Sequence, residues 1–215
     1  MKMISEILLF LEELLFPSKC GGCDKTGIVL CSKCLNTLEK SDKNFEKNID
    51  SVFDYRKGLL KKMIWKIKYK NNQKLAEVLG EHLAFFILEE MESLHKLHGG
   101  EFIVACVPNR KKGFRVFNHA LVFANQVAKK NNLELIDCLY FTRKTENQAR
   151  LKNKKVREKN IENSMDVKQK FIQKIKGKNI LLIDDILTTG ATIKEARRAL
   201  STARPKKVFA FTLAH

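Results

Sequence analysis

The chain has 215 residues, of which 44% are hydrophobic, and 41 Lys and Arg against 24 Asp and Glu give a formal charge of +17. That apolar fraction is ample for a core. No stretch reaches the ~20 apolar residues that cross a bilayer, and acids within the first thirteen positions exclude a secretory signal peptide, so a cytoplasmic, reducing setting is expected.

Part of the charge is compositional, since 32 Lys, 9 Arg and 15 Asn are the bias of an AT-rich coding sequence. The rest is clustered. Residues 55–76 hold eight basic side chains and no acid, and residues 143–178 hold thirteen basic against four acidic. Clustering of this kind is the footprint of a polyanion partner, because neutralising phosphates releases counterions. Few aromatics accompany it. Trp65 and Tyr69 lie four apart on one helical face, where Trp65 reads first as a core residue, with base stacking as the alternative.

In chain order, Ile4, Ile7, Leu8, Leu11 and Leu15 recur at helical spacing with Glu6, Glu12 and Glu13 opposite, the pattern of a packing helix. Next come Cys20-Gly-Gly-Cys23 and Cys31-Ser-Lys-Cys34, two CxxC knuckles with the spacing of a four-thiolate Zn²⁺ site. Four protein ligands leave no open position, so the expected metal is structural. Gly21 and Gly22 are expected to let the first knuckle turn. Redox or disulfide pairing is the less favoured reading in a reducing compartment.

The weakly patterned stretch 36–50 reads as a linker, which divides the chain into a head, 1–40, and a main domain, 51–215. Beyond it the pattern predicts a strand at 51–56, a long amphipathic region from Leu59 to Leu97, strand 102–107, helix 118–131, strand 134–141, strand 179–184, helix 193–203 and strand 207–213. Alternation predicts an α/β fold, a mostly parallel sheet with helices on both faces and ligands at the C-terminal ends of strands. With the chain ending just after the last strand, no separate hood domain over an acceptor is expected from its second half. Cys106 and Cys138 sit in apolar runs and read as core. His82, His95, His98, His119 and His215 lack metal spacing and are assigned no role.

The most informative stretch is 181–192, LLIDDILTTGAT. A buried strand ends in Asp184 and Asp185, and a turn of Thr188, Thr189, Gly190, Ala191 and Thr192 opens the following helix. Backbone N–H groups and the helix dipole favour an anion there, the hydroxyls add donors, and Gly190 permits close approach. Neither GxxxxGK[ST] nor GxGxxG occurs, which disfavours a nucleotide triphosphatase or a dinucleotide site.

This stretch resembles the phosphoribosyl pyrophosphate (PRPP) loop of type I phosphoribosyltransferases. In that family the two acids hold the ribose 2′- and 3′-hydroxyls and the turn cradles the 5′-phosphate, so the resemblance assigns Asp184 and Asp185 to catalysis and 188–192 to PRPP. With the double-CxxC head, the chain resembles the ComF family of bacterial natural competence. LLFPSKCGGC, Tyr55 with MIWKIKYK at 63–70, VPNRKKGFRVFNHALVFA at 107–124, and Thr145, Gln148, Leu151, Arg157 and Asn160 carry that likeness. Where the family has Arg-Gly-Phe-Asn, this chain has Arg115-Val116-Phe117-Asn118, and Asn109-Arg110 replaces a second Pro.

The resemblance implies a type I phosphoribosyltransferase-like fold with a small N-terminal zinc-binding module. Departure of diphosphate from PRPP calls for Mg²⁺ on the leaving group and cations beside it. Arg110, Lys111, Lys112 and Arg115 are the candidates, and Lys66 and Lys68 follow by family position. Two function classes emerge. One is a PRPP-binding module in natural transformation, with single-stranded DNA and competence-machinery proteins at the inner membrane as partners. The other is an active phosphoribosyltransferase with an acceptor the sequence does not name.

Overall fold

The computed structural model describes residues 17–41, 48–56, 58–109, 117–146 and 153–215. The helix expected over 4–16 lies outside them. The described residues hold seven strands, in chain order β1 Ile49–Phe53, β2 Phe102–Cys106, β3 Glu134–Ile136, β4 Leu139–Phe141, β5 Met165–Val167, β6 Asn179–Ile186 and β7 Lys207–Ala214. Five of them form a sheet in the order β1-β7-β6-β2-β3, with every pairing parallel.

Successive side chains of a strand point to opposite faces, and here both faces are covered. Leu181, Ile183, Phe209 and Phe211 enter one core, whereas Ile180, Leu182 and Ala210 enter the other. The first core lies under α2 (Gly58–Lys70), α3 (Gln73–His98) and α4 (His119–Asn131), and the second under α6 (Ile172–Ile175) and α7 (Ala191–Ser201). Two short helices, α1 (Ser32–Asn36) and α5 (Lys154–Ile161), complete the set among the described residues. No described helix is long and apolar enough to cross a membrane.

Three departures from the sequence pattern have local causes. The amphipathic region 59–97 is two helices, because Asn71 adopts a left-handed φ of 50° and Asn72 caps the second by accepting from Leu75 N at 2.9 Å. The expected strand 134–141 divides after Ile136, and Leu139–Phe141 leaves the sheet to pair antiparallel with Met165–Val167. That second strand is too short to show a period. It is fixed instead by Glu195 of α7, only 4% exposed, whose carboxylate accepts from Met165 N at 2.9 Å and Asn163 N at 3.1 Å and pairs with Arg198.

The four-cysteine segment is not a detached head. Buried Cys20 and Cys34 belong to the same core as α2 and α3. A Cβ on Gly21 would stand 2.7 Å from Leu75, and one on Gly22 would stand 2.6 Å from Cys34 Sγ. Neither glycine has a positive φ. The knuckle turns at Gly21, Gly22 and Cys23 as expected, with Asp24 N donating to Cys20 O at 3.1 Å, and the two glycines also allow its close approach to the helices. Within the predicted linker, residues 39–41 run antiparallel beside β1, with Ser41 N donating to Val52 O and Asp54 N to Glu39 O, both at 2.9 Å.

Candidate functional site

β6 lies in the middle of the sheet, so its C-terminal end opens between the ends of β7 and β2. Asp184, opposite Thr212 in the register, is 8% exposed, and its Oδ1 accepts from Asp185 N at 2.8 Å. The chain then turns through Thr188 and Thr189 to Gly190, whose φ of 73° is the left-handed region that glycine enters without strain. Gly190 caps α7, and Ala191 N approaches Thr189 Oγ1 at 3.4 Å. Two acids and a helix N-terminus thus meet at one strand end.

They border a cleft of about 570 Å³. Asp184, Asp185, Thr188 and Thr192 line one side, Asn109, Asn118 and Pro108 another, and Lys61, Trp65, Lys68 and Tyr69 of α2 a third. Asn118 Nδ2 donates to Val107 O at 3.3 Å, and Asn109 Nδ2 to Phe117 O at 3.2 Å. These two asparagines tie residues 107–109 to residues 117–118. Sequence reasoning gave them no individual role, although their flanking of a basic segment was a usable signal. Arg110, Lys111, Lys112 and Arg115 lie outside the described residues.

The two lysines expected at the cleft part company. Lys68 reaches it, pairing with Asp185 at 2.6 Å. Lys66 instead turns to the knuckle, donating to Asp24 and to Cys20 O. A helix places residues two apart on different faces, so the same α2 serves both places. Lys62 joins Lys66, with Nζ 2.7 Å from Gly22 O and 2.8 Å from Asp24 Oδ2. Hydrogen bonds from these two ammonium groups pull the Asp24 carboxyl down to about 2.

Trp65 and Tyr69 are 50% and 54% exposed, so the core reading of Trp65 does not hold. Their ring centroids stand 5.9 Å apart at 36°, and Lys70 Nζ lies 5.7 Å over the Trp65 ring. Cys106 and Cys138 are buried as expected, and burial pushes both thiols up, which leaves them inert.

The Sγ atoms of Cys20, Cys23, Cys31 and Cys34 all lie within 4.8 Å of one another, and Cys31 Sγ stands 3.7 Å from Cys20 Sγ and 3.8 Å from Cys23 Sγ. Tetrahedral thiolates at ~2.3 Å from Zn²⁺ have sulfurs about 3.8 Å apart, so the donor set and spacing suit that ion. Burial opposes ionisation of Cys20, yet the backbone N–H groups of Cys23, Cys31 and Gly22 outweigh it and lower its thiol. Burial and the surrounding sulfurs raise Cys34.

Residues 116–215 match the family model of the phosphoribosyl transferase domain. The matched part of the chain is the one that carries β6, its turn and α7. No curated protein matches the chain. Among solved structures, a hypoxanthine-guanine phosphoribosyltransferase (hpt-2) from Bacillus anthracis is 20% identical, with 66% of this chain and 69% of that one covered and a TM-score of 0.40. The hypoxanthine-guanine phosphoribosyl transferase of L. donovani is 14% identical over 66% and 71%, with a TM-score of 0.41. An allosteric regulatory enzyme of purine biosynthesis is 16% identical with a TM-score of 0.38, and 64% of this chain spans only 25% of its length.

Proposed function

We propose that the cleft binds Mg-PRPP, with Asp184 and Asp185 on the ribose hydroxyls and the 188–192 turn on the 5′-phosphate. The observation that carries this is the meeting of two adjacent carboxylates with a glycine-capped helix N-terminus at the end of the central strand. Backbone N–H groups at such a terminus suit a phosphate, and carboxylates suit a vicinal diol while offsetting positive charge that develops at C1. Mg²⁺ arriving with the diphosphate would neutralise part of its charge. Lys68 stands beside Asp185 and can shift to the diphosphate side. The basic residues 110–112 and 115 lie in sequence between Asn109 and Asn118, both of which line the cleft.

Zn²⁺ at Cys20, Cys23, Cys31 and Cys34 has a structural role in this reading, since the segment docks on α2 and α3. At finer grain, the ComF resemblance favours service in the uptake of single-stranded DNA in the cytoplasm over transfer to an acceptor. The exposed Trp65 and Tyr69 within a basic helix support a nucleic-acid partner. Isothermal titration with Mg-PRPP tests the site, and absence of binding refutes it. Diphosphate release assayed with cell extract and with single-stranded DNA separates the two classes: turnover marks the enzyme, tight binding without turnover the module.

A further inference from the structure

Lys74, Val78, Glu81, Phe85 and Leu88 follow one another along α3 in alternating steps of four and three, so they share one face of that helix. The opposite face is taken by the core, through Leu75, Leu79, Leu83 and Ile87. Phe85 and Leu88 are 49% and 44% exposed, Val78 is partly exposed, and Lys130 of α4 stands 3.9 Å from the centre of the Phe85 ring. Large apolar side chains aligned in this way call for a cover.

The row starts where the described chain starts, because Lys74 Nζ stands 3.5 Å from Ser18 Oγ. In the sequence just before Ser18, outside the described residues, Ile4, Leu8, Leu11 and Leu15 recur with the same alternation of four and three. As a helix, residues 4–16 would measure ~20 Å, against ~21 Å from Lys74 to Leu88. Laid back along α3 from Ser18, such a helix runs antiparallel to it, which brings Leu15 to Val78, Leu8 to Phe85 and Ile4 to Leu88. Glu81 interrupts the apolar row opposite Leu11, and Glu6 and Glu13 fall on the side turned away from α3.

We propose that residues 4–15 form a helix docked on this face of α3, so that the chain covers its own exposed apolar row. The occupant is this segment and not a second copy, because the chain emerges beside Lys74 and its length and spacing match the row that begins there. Docking would hold the cysteine knuckle from a second side. Lys62 and Lys66 of α2 already grip it at Asp24, and the docked helix would anchor it through Pro17 and Ser18.

A benzophenone photo-cross-linker placed at position 85 of the full chain tests the contact. Peptide mapping should find it joined to residues 4–11 of the same chain, with a yield independent of protein concentration. In parallel, Leu8→Ala and Phe85→Ala should each lower the melting temperature by roughly 2–8 °C, and the double variant by clearly less than the sum, because both remove one contact. Cross-links found only between chains carrying different isotope labels overturn the proposal in favour of a second copy. Cross-linking that spares residues 1–16, or additive shifts in the double variant, overturns it as well. Capture of the segment by phosphatidylglycerol vesicles, with position 85 left unjoined to it, overturns it in favour of a lipid surface.

Discussion

Lys68 Nζ stands 2.6 Å from Asp185 Oδ2, so a cation of α2 already neutralises one of the two acids at the end of β6. Both side chains are about one-fifth exposed, where a charge pair is less screened than on the surface. A diol arriving at Asp185 competes with that ammonium, which a diphosphate can receive. Asp184→Asn with Asp185→Asn should therefore abolish Mg-PRPP binding, and Lys68→Ala should weaken it by roughly tenfold, the scale of one charge-assisted contact. Unchanged affinity in the double variant, measured by titration with the circular dichroism spectrum intact, removes the assignment.

One zinc per chain is expected, lost in Cys20→Ser and in Cys34→Ser. Gly22→Ala should also impair the segment, because its methyl group would meet Cys34 Sγ at 2.6 Å. Since Lys62 and Lys66 hold the knuckle from the helix that carries Lys68, metal loss should also lower PRPP affinity. Metal analysis together with titration checks both statements. A well-folded, metal-free protein in reducing buffer, with undiminished affinity, contradicts them.

Glu195 predicts a pH effect. Burial works against its ionised form, but Arg198 and the N–H groups of Met165 and Asn163 outweigh it and hold its carboxyl below the ordinary value of 4.5. A carboxyl lowered by folding contributes stability that is present above its ordinary value and lost as pH falls toward the folded value. Glu195→Gln should cost about 1–3 kcal/mol at pH 7, at the lower end because Arg198 is 42% exposed. Thermal melts should show the gap between the two proteins narrowing below pH 4.5. A gap constant with pH counts against the ionic contribution.

For the basic surface, Lys62, Lys66 and Lys68 are unsuitable probes, as each holds an acid of the protein. Exposed Lys61, Lys70, Lys144 and Lys155 are better. Their replacement by Gln should lower affinity for single strands and reduce the log–log salt slope by ~0.7 for each phosphate that is no longer neutralised. Lys33 and Lys129 should matter little. Shift titrations at two salt concentrations that treat both sets alike would speak for compositional bias.

Much of this was legible in the chain itself. The apolar runs of β2, β6 and β7 announce buried parallel strands, and the acid pair and glycine turn stand together in sequence, so the core of the site needed no tertiary information. Lys66 and Lys68 differ in fate because of helical rotation against two different partners, which sequence spacing alone does not orient. Met165–Val167 escaped notice because three residues carry no period and the restraint comes from Glu195, thirty residues on. Trp65 departs from its expected core position for a related reason: the apolar stripe of α2 is completed by Leu60, Met63, Ile64 and Ile67, leaving the ring outside.

The strip 39–41 beside β1 bears on how the molecule meets others. An uncovered strand edge is a template on which a foreign strand can add, with aggregation as the unwanted form. Here Ser41 N and Glu39 O already engage the outer backbone of Val52 and Asp54, antiparallel to a sheet that is otherwise parallel. The opposite edge, β3, is only three residues long. Neither margin offers a long ladder to an incoming chain, so association through side-chain surfaces is favoured over sheet extension.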